Sequence, residues 1–382
     1  MKPQISTVRA DRTEDATAAE GFVLSRPHGT AIGRGIETCY DDPVEAAGAL
    51  RTGAASAVVG ALAFRRDSPC ALSVPTTLTF VDPTTSGPQT PSGPALPRFT
   101  VGDRGERDHL DRVCTAVRAL ADPADSLQKV VLARTLRLRA DNRIDPSAVL
   151  SALVANNRSR NGFQVDLSPA GGHYVGRALV GASPEVLIRR RASTVTCHPL
   201  AGSVARDPDE RRDRDAGQAL LQSSKDTREH AFVVDALRES LAPLCRSLDI
   251  PDAPTLTRTP QLWHLGTPIR GELRQPDTTA LELALAVHPT PAVCGTPTDA
   301  AYRTIAELEG DRGFYAGAVG WCNSDGDGEW MVAIRCAEIS SDRRVLTAYA
   351  GGGIVAESDP SAELAETSTK FGTVLCALGV TL

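Results

Sequence analysis

Residues 316–350, AGAVGWCNSDGDGEWMVAIRCAEISSDRRVLTAYA, decide the fold class. Three apolar runs in this stretch predict consecutive strands at Ala316–Trp321, Trp330–Ile339 and Val345–Ala350. Strands that follow one another without an intervening helix are typical of antiparallel sheets rather than of regular βαβ alternation. We therefore expect an α+β protein with antiparallel sheets.

Outside this stretch, strands and helices alternate irregularly along the chain. Apolar residues at helical spacing predict helices, and runs rich in branched residues predict strands. The predicted elements are helices over Arg107–Leu120 and Ser224–Leu244, a last helix with Asp359 as its N-cap and Pro360 at its first position, a strand over Lys129–Arg139, and a hairpin formed by Val186–Ile188 and Thr194–Cys197.

The 382 residues contain one low-complexity segment, DPTTSGPQTPSGPALPR at Asp82–Arg98. Its Pro, Ser, Gly and Thr content predicts an exposed loop. Before it, GFVLSRPHGTAIGRG and SAVVGALAF indicate strands of an N-terminal lobe, residues 1–100. There is no internal repeat and no second linker. We expect a single domain over residues 1–382, with the catalytic core in residues 101–382.

Composition excludes several classes of protein. The net charge of −6 leaves no basic surface for nucleic acid. The polar N-terminus and the lack of a long apolar run predict neither a signal peptide nor a membrane span. Nine dispersed cysteines without a C-x-x-C pair argue against a disulfide framework or a zinc site. We expect a cytoplasmic enzyme, and a monomer because no segment is dedicated to association.

Lys129 and Glu185 are candidates for acid–base chemistry. A lysine acts as a general base only when its surroundings favour the neutral amine. Glu185 follows a small-residue turn in GASPEVLI, and partial burial there would raise the pKa of its carboxyl as a general acid requires. The ordinary alternatives are a solvated lysine at a strand end and an exposed turn glutamate.

Carboxylates on two predicted helices are candidates for a metal site. Glu363, Glu366 and Lys370 have the spacing that places three side chains on one helix face. Glu229 lies near the start of another helix, in SSKDTREH. Magnesium prefers a few carboxylates together with water and ligand oxygens. The alternative is an ordinary charged helix surface.

Two further features could bind an anion. The glycine triplet in AGGGIV, residues 350–355, could aim backbone N–H groups at a ligand, or be a flexible turn. It is not a dinucleotide-binding fingerprint. Arg335 interrupts an apolar strand in WMVAIRCAEI, and a buried arginine needs an anionic partner. That partner could be a substrate carboxylate, or a nearby aspartate if Arg335 lies on an edge strand.

Taken in order, these stretches resemble the chorismate-utilising enzyme family, and most closely its isochorismate synthases of the 2,3-dihydroxybenzoate siderophore type. The resemblance runs from about residue 101 to the C-terminus. It rests on KVVLAR, GASPEVLI, HPLAGSVAR, SSKDTREH, LWHLGTPIRG, HPTPAVCGTP, FYAGAVGW, GEWMVAIRC, AGGGIV and SDPSAELAETSTK.

The resemblance implies two large antiparallel sheets packed together, with helices outside and an active site between them. It implies Mg²⁺ bound by Glu229 and Glu366, with Glu363 close by. Lys129 would activate water for attack at C2 of chorismate, and Glu185 would protonate the departing C4 hydroxyl. The implied substrate contacts are Gly202, His264, Ala292, Val293, Tyr315, Ile334, Arg335, Gly351 and Lys370.

The implied activity is Mg²⁺-dependent conversion of chorismate to isochorismate. Ammonia-using relatives usually lack a lysine at position 129, so Lys129 favours water as the nucleophile. A salicylate synthase, which goes on to eliminate pyruvate, is the main alternative. The Ala292–Val293 pair resembles the isochorismate-releasing branch, although many of those enzymes have leucine in place of Val293. The other alternative is a catalytically inactive relative that binds chorismate. The presence of every expected catalytic and metal-binding residue argues against it.

Overall fold

The computed structural model describes residues 20–83 and 95–381, and its described part is built on two large antiparallel sheets. Elements are numbered in chain order. The first sheet contains β1 Glu20–Arg26, β2 Gly29–Arg34, β6 Thr77–Val81, β7 Phe99–Val101, β8 Lys129–Ala140, β9 Gly162–Asp166, β10 Ala178–Gly181, β18 Gly295–Thr296, β21 Cys336–Ile339 and β22 Val345–Ile354. The second contains β3 Thr38–Tyr40, β4 Ala57–Leu62, β5 Ala71–Val74, β11 Val186–Arg191, β12 Thr194–His198, β14 Cys245–Asp249, β17 Ile269–Leu273, β19 Ala318–Asn323 and β20 Gly328–Val332.

A smaller sheet and the helices complete the described part of the fold. The strand order of the smaller sheet is β13-β16-β15, with β13 Leu200–Ala205, β15 Thr255–Arg258 and β16 Leu262–Gly266. The helices are α1 Pro43–Thr52, α2 Glu106–Leu120, α3 Pro146–Ala155, α4 Glu210–Gln222, α5 Ser224–Leu241, α6 Ala280–Val287, α7 Thr298–Glu309 and α8 Pro360–Leu378. None of these helices combines the length and the hydropathy of a membrane span.

The main core joins the two large sheets. Phe22 and Leu132 of the first sheet belong to the same buried cluster as Ile188 and Trp330 of the second. A second cluster lies on the other face of the first sheet, where α3 and α8 cover strands β8, β10 and β22. The second sheet packs against α6. The expected α+β arrangement of two packed antiparallel sheets with helices on the outside is therefore confirmed.

Strand β8 illustrates how the sequence produces this arrangement. Its first half is buried on both faces, because the core lies on one side and α7 lies nearby. Its second half alternates, with Leu136 and Leu138 buried and Arg137 and Arg139 exposed. That alternation is the period of a strand covered on one face only. Lys129, at the very start of β8, lies in the fully buried half.

Two predicted elements differ from the structure. The helix predicted to reach Leu244 ends at Leu241, and the chain enters β14 at Cys245. The single strand predicted over Trp330–Ile339 is two strands, β20 in the second sheet and β21 in the first. The chain crosses between the sheets at residues 333–335, where Arg335 has a φ of 50°. A 3.6- or 2-residue period cannot reveal such a crossing, because largely buried residues continue from β20 through the crossing into β21.

The glycine triplet is not the flexible turn that the sequence left open as an alternative. Gly351–Gly353 is neither a loop nor a turn but belongs to β22, where it pairs with Leu132 and its neighbours in β8. The absent side chains leave room there for residues of α5 and α8. A Cβ on Gly352 would lie 3.0 Å from Oε2 of Glu363 and 3.2 Å from Oε2 of Glu366.

Other expectations concern the helix cap, the cysteines and the N-terminal part. Asp359 caps α8, and its Oδ1 accepts a hydrogen bond of 2.8 Å from the backbone N–H of Ala362. All nine cysteines lie in the described ranges and are free thiols.

Two segments discussed from the sequence lie outside the described residues. They are most of the loop predicted at Asp82–Arg98 and the polar N-terminus that argued against a signal peptide. The assignment of one domain to the whole chain stays a prediction.

Candidate active site

A cleft between β13 and β16, the end of β22, and α8 gathers side chains from most parts of the chain. It encloses about 660 Å³ of empty space, part of which is open to solvent. Twelve of the fourteen candidate residues line it, and Lys129 and Glu363 lie just behind its wall. The lining residues are Val131, Pro184, Glu185, Leu200, Ala201, Gly202, Ser203, Glu229, His264, Ala292, Val293, Tyr315, Ile334, Arg335, Tyr349, Ala350, Gly351, Gly353, Glu366 and Lys370.

Lys129 is fully buried behind Glu229. Its Nζ lies 3.1 Å from Oε1 of Glu229, but the geometry makes no hydrogen bond with any described group. A Cβ on Gly353 would lie 2.3 Å from Oε1 of Glu229 and 3.1 Å from Cε of Lys129. A side chain at position 353 would therefore displace the carboxylate of Glu229 from its place beside Lys129. The solvated lysine that the sequence left open as an alternative is wrong.

Glu185 lies between the turn at Ser183 and strand β11 and is only 3% exposed. Burial raises the pKa of its carboxyl to about 8, because the charged form loses its hydration. The positive charges of Lys129 and Arg335 oppose this rise without cancelling it. Glu185 therefore holds its proton at neutral pH, as a general acid must. The alternative of an exposed turn glutamate is wrong.

Three carboxylates beside the cleft are each paired with a lysine. Glu229 pairs with Lys129, as described above. Oε1 of Glu363 lies 3.2 Å from Nζ of Lys225, and Oε1 of Glu366 lies 2.9 Å from Nζ of Lys370. Burial and the charge of Glu366 raise the pKa of Glu363, whereas Lys370 lowers the pKa of Glu366. The two neighbouring glutamates thus favour sharing a single negative charge.

The donor set fits a hard divalent cation. As arranged here, no three His, Cys, Asp or Glu side chains in residues 20–83 and 95–381 are grouped to hold a metal ion. Magnesium does not need such a group, since it usually keeps several waters and takes one or two carboxylates. Oε2 of Glu363 is buried and has no partner among the described residues. An unpartnered carboxylate oxygen beside Glu366 is chemically suited to receive a cation.

Arg335 and Lys370 supply positive charge to the cleft. Arg335 lies in the crossing between the two large sheets, is 5% exposed and forms no ion pair with any described residue. Its one side-chain hydrogen bond is a long one, 3.4 Å to Oγ1 of Thr373. Burial lowers the pKa of its guanidinium to about 10. A buried cation without a counter-charge is costly, so this guanidinium is arranged to receive an anion.

Lys370 also contacts the glycine triplet. Its Nζ donates a hydrogen bond of 2.7 Å to the carbonyl oxygen of Gly351. The expectation that backbone N–H groups of the triplet contact an anion stays a prediction. The ammonium is held between this carbonyl and Glu366 at the edge of the cleft.

His264 and the apolar residues form the remaining walls. Burial and the nearby charge of Arg335 lower the pKa of His264 well below its ordinary value, so the imidazole is neutral. Its Nε2 is buried without a partner among the described residues. Tyr315 stacks on Tyr349 with ring centroids 4.9 Å apart and an interplanar angle of 10°. With Val293, these rings form a flat apolar surface.

Several residues at this site were not identified from the sequence. Lys225 and Asp226 precede Glu229 by four and three positions on α5, so helical spacing could have identified them. Asp226 contacts Gly202, and burial raises the pKa of its carboxyl. Ser203 donates a short hydrogen bond to Glu366, and Tyr349 lies on β22 two residues before Gly351. No local pattern marks Ser203 as a site residue.

Comparisons with known proteins identify the family to which this chain belongs. The family model described as chorismate binding enzyme matches residues 91–379. A putative isochorismate synthase MenF from Mycobacterium tuberculosis is 50% identical over 361 residues, which cover 94% of this chain and 96% of that protein. Isochorismate synthase DhbC from Bacillus subtilis is 48% identical over 265 residues, 69% of this chain and 66% of that protein.

A solved structure agrees with these sequence matches. It is the crystal structure of a putative 2,3-dihydroxybenzoate-specific isochorismate synthase, DhbC, from Bacillus anthracis. It superposes with a TM-score of 0.84 at 36% identity, covering 95% of this chain and 97% of that one. With its two packed antiparallel sheets and the polar cleft beside them, the chain belongs to the family of chorismate-binding enzymes.

Proposed function

We propose that this enzyme is an isochorismate synthase, an isomerase that adds water at C2 of chorismate and removes the C4 hydroxyl. One observation carries the proposal above all. A fully buried lysine lies just behind the wall of the cleft, and a glutamate that holds its proton at neutral pH lines the same cleft. A hydroxyl exchange needs such a base and such an acid.

In the proposed reaction, the neutral amine of Lys129 takes a proton from water as the water oxygen bonds to C2. The double bond shifts, the bond from C4 to its hydroxyl breaks, and Glu185 gives its proton to that leaving oxygen. Protons and electrons balance, because water enters at one carbon and leaves from another. No redox step is involved. Chorismate carries two carboxylates, and Arg335 and Lys370 are the cations of the cleft that can bind and orient them.

We propose Mg²⁺ as the cofactor, held by Glu229 and Glu366 with Glu363 beside them. When bound, the ion would neutralise a substrate carboxylate that would otherwise face three glutamates. The unpartnered Oε2 of Glu363 and the carboxylate donor set support this assignment. A siderophore pathway, a cytoplasmic location and a monomeric state are part of the same proposal. The Bacillus anthracis relative is named as 2,3-dihydroxybenzoate-specific, which supports the 2,3-dihydroxybenzoate branch for this chain.

The test is to incubate the purified protein with chorismate and Mg²⁺ and to separate the products by liquid chromatography, with an EDTA control. We expect isochorismate alone, and none after metal removal. Formation of salicylate and pyruvate would instead identify the protein as a salicylate synthase. A lack of turnover by correctly folded protein would support the inactive relative that binds chorismate.

A further inference from the structure

A second polar cavity opens on the surface next to the candidate active site. We call it the arginine vestibule, after Arg158, Arg206 and Arg258. It is bordered by the loop between α3 and β9, the end of β13 and the turn between β15 and β16. It encloses about 1010 Å³ of empty space, part of which is open to solvent. None of the residue roles proposed above uses it.

The vestibule carries uncompensated positive charge. Arg158 and Arg258 are exposed, and neither forms an ion pair with a described residue. Arg206 is bound to Asp213 through two hydrogen bonds of 2.7 and 2.6 Å and stacks over Trp263. No aspartate or glutamate is among its described lining residues, which otherwise carry amides and hydroxyls. Such a concave surface raises the local concentration of small anions.

The vestibule continues toward the catalytic cleft. A smaller cavity shares Asn157, Pro184, Thr259 and Pro260 with the vestibule. The same small cavity shares Pro184 and Arg335 with the catalytic cleft. Arginines therefore lie at both ends of this row of neighbouring cavities, with Arg158 and Arg258 at the surface and Arg335 inside.

We propose that the arginine vestibule is an entry site that collects the dianionic dicarboxylate substrate and directs it past Pro184 to Arg335. This inference rests on the function proposed above. Arg158 and Arg258 act through their charge on substrate capture and do not touch the reacting atoms. Arg206, whose guanidinium is neutralised by Asp213, shapes the wall. Removing the two free charges should raise KM for chorismate and leave kcat unchanged.

The experiment compares the unsubstituted enzyme with the double variant Arg158→Gln/Arg258→Gln over a range of ionic strength. At about 0.01 M salt, where the screening length is about 30 Å, we expect KM to rise about 3- to 10-fold. At about 1 M salt, where that length is about 3 Å, the two KM values should converge. Arg158→Lys/Arg258→Lys retains both charges and should keep the original KM.

Arg107→Gln/Arg303→Gln is the matched control, because it removes two exposed arginines that form no ion pair with a described residue and do not line the vestibule. It should leave KM within about two-fold of the original at low salt. An unchanged KM in the vestibule variant at low salt, or an increase that persists at high salt, would overturn the proposal. Failure of the unsubstituted enzyme to turn over chorismate would instead refute the proposed function.

Discussion

The protonation of Glu185 allows the sharpest test of the proposed mechanism. The general acid must carry its proton, so kcat should fall as pH rises through the pKa of Glu185, about 8. A carboxyl with that pKa is about nine-tenths protonated at pH 7 and about one-tenth protonated at pH 9. Between these two values, the fraction of enzyme able to donate this proton should therefore fall about ten-fold. Glu185→Gln cannot donate a proton and should lower kcat by about 10²- to 10⁴-fold.

The assay is initial-rate formation of isochorismate at saturating chorismate and Mg²⁺, at half-unit steps from pH 6.5 to 9.5. Glu329→Gln is the matched control, since Glu329 is also a buried carboxylate but pairs with Arg26 and His28 outside the cleft. The control should keep the pH profile of the unsubstituted enzyme. A Glu185→Gln variant that keeps the kcat of the unsubstituted enzyme across this pH range would show that Glu185 is not the acid.

The same pKa has a consequence for stability. The pKa of Glu185 is raised from 4.5 in the unfolded chain to about 8 in the folded protein. The folded protein therefore favours the protonated form of Glu185. As pH rises from 4.5 through about 8, the free energy of unfolding decreases. Glu185→Gln removes this loss. It should raise Tm at pH 9 by a few degrees relative to the unsubstituted protein, and change Tm little at pH 4.

Three further predictions use the same cleft. Lys129→Gln should abolish isochorismate formation while calorimetry still detects Mg²⁺-dependent binding of chorismate; retained turnover would remove Lys129 as the base. Glu366→Gln should raise the Mg²⁺ concentration needed for half-maximal activity by at least about ten-fold, and an unchanged requirement would show that the metal lies elsewhere. Gly353→Ala should reduce activity strongly, because its Cβ would lie 2.3 Å from Oε1 of Glu229. Gly372→Ala on α8, where the nearest atom would be 3.9 Å away, should keep full activity and so serves as the control.

Much of the fold followed from local patterns in the sequence. The 3.6-residue period located α2 and α5, although α5 ends three residues earlier than expected. The alternation in β8 located the strand that carries Lys129. The cap at Asp359 located the start of α8. These features depend on residues close together in the chain, so they can be recognised without knowledge of the tertiary structure.

The identity of the site residues came from motifs rather than from periodicity. Neither Lys129 nor Glu185 stands out by spacing alone, and each had an ordinary alternative as a surface residue. Their order among the other family stretches is what distinguished them. Asp226 and Lys225 could have been added from helical spacing on α5, because they share a face with Glu229.

Only the tertiary structure decided the properties on which the chemistry depends. The sequence could not show that β20 and β21 belong to different sheets, nor that Arg335 lies unpaired at the crossing between them. Nor could it show that Lys129 meets Glu229, or that burial raises the pKa of Glu185 to about 8. Burial and charge pairing are set by residues that are far apart in the chain and are brought together by packing. The sequence by itself therefore determined which residues are present and on which elements, and packing determined which of them are charged, paired or available to a substrate.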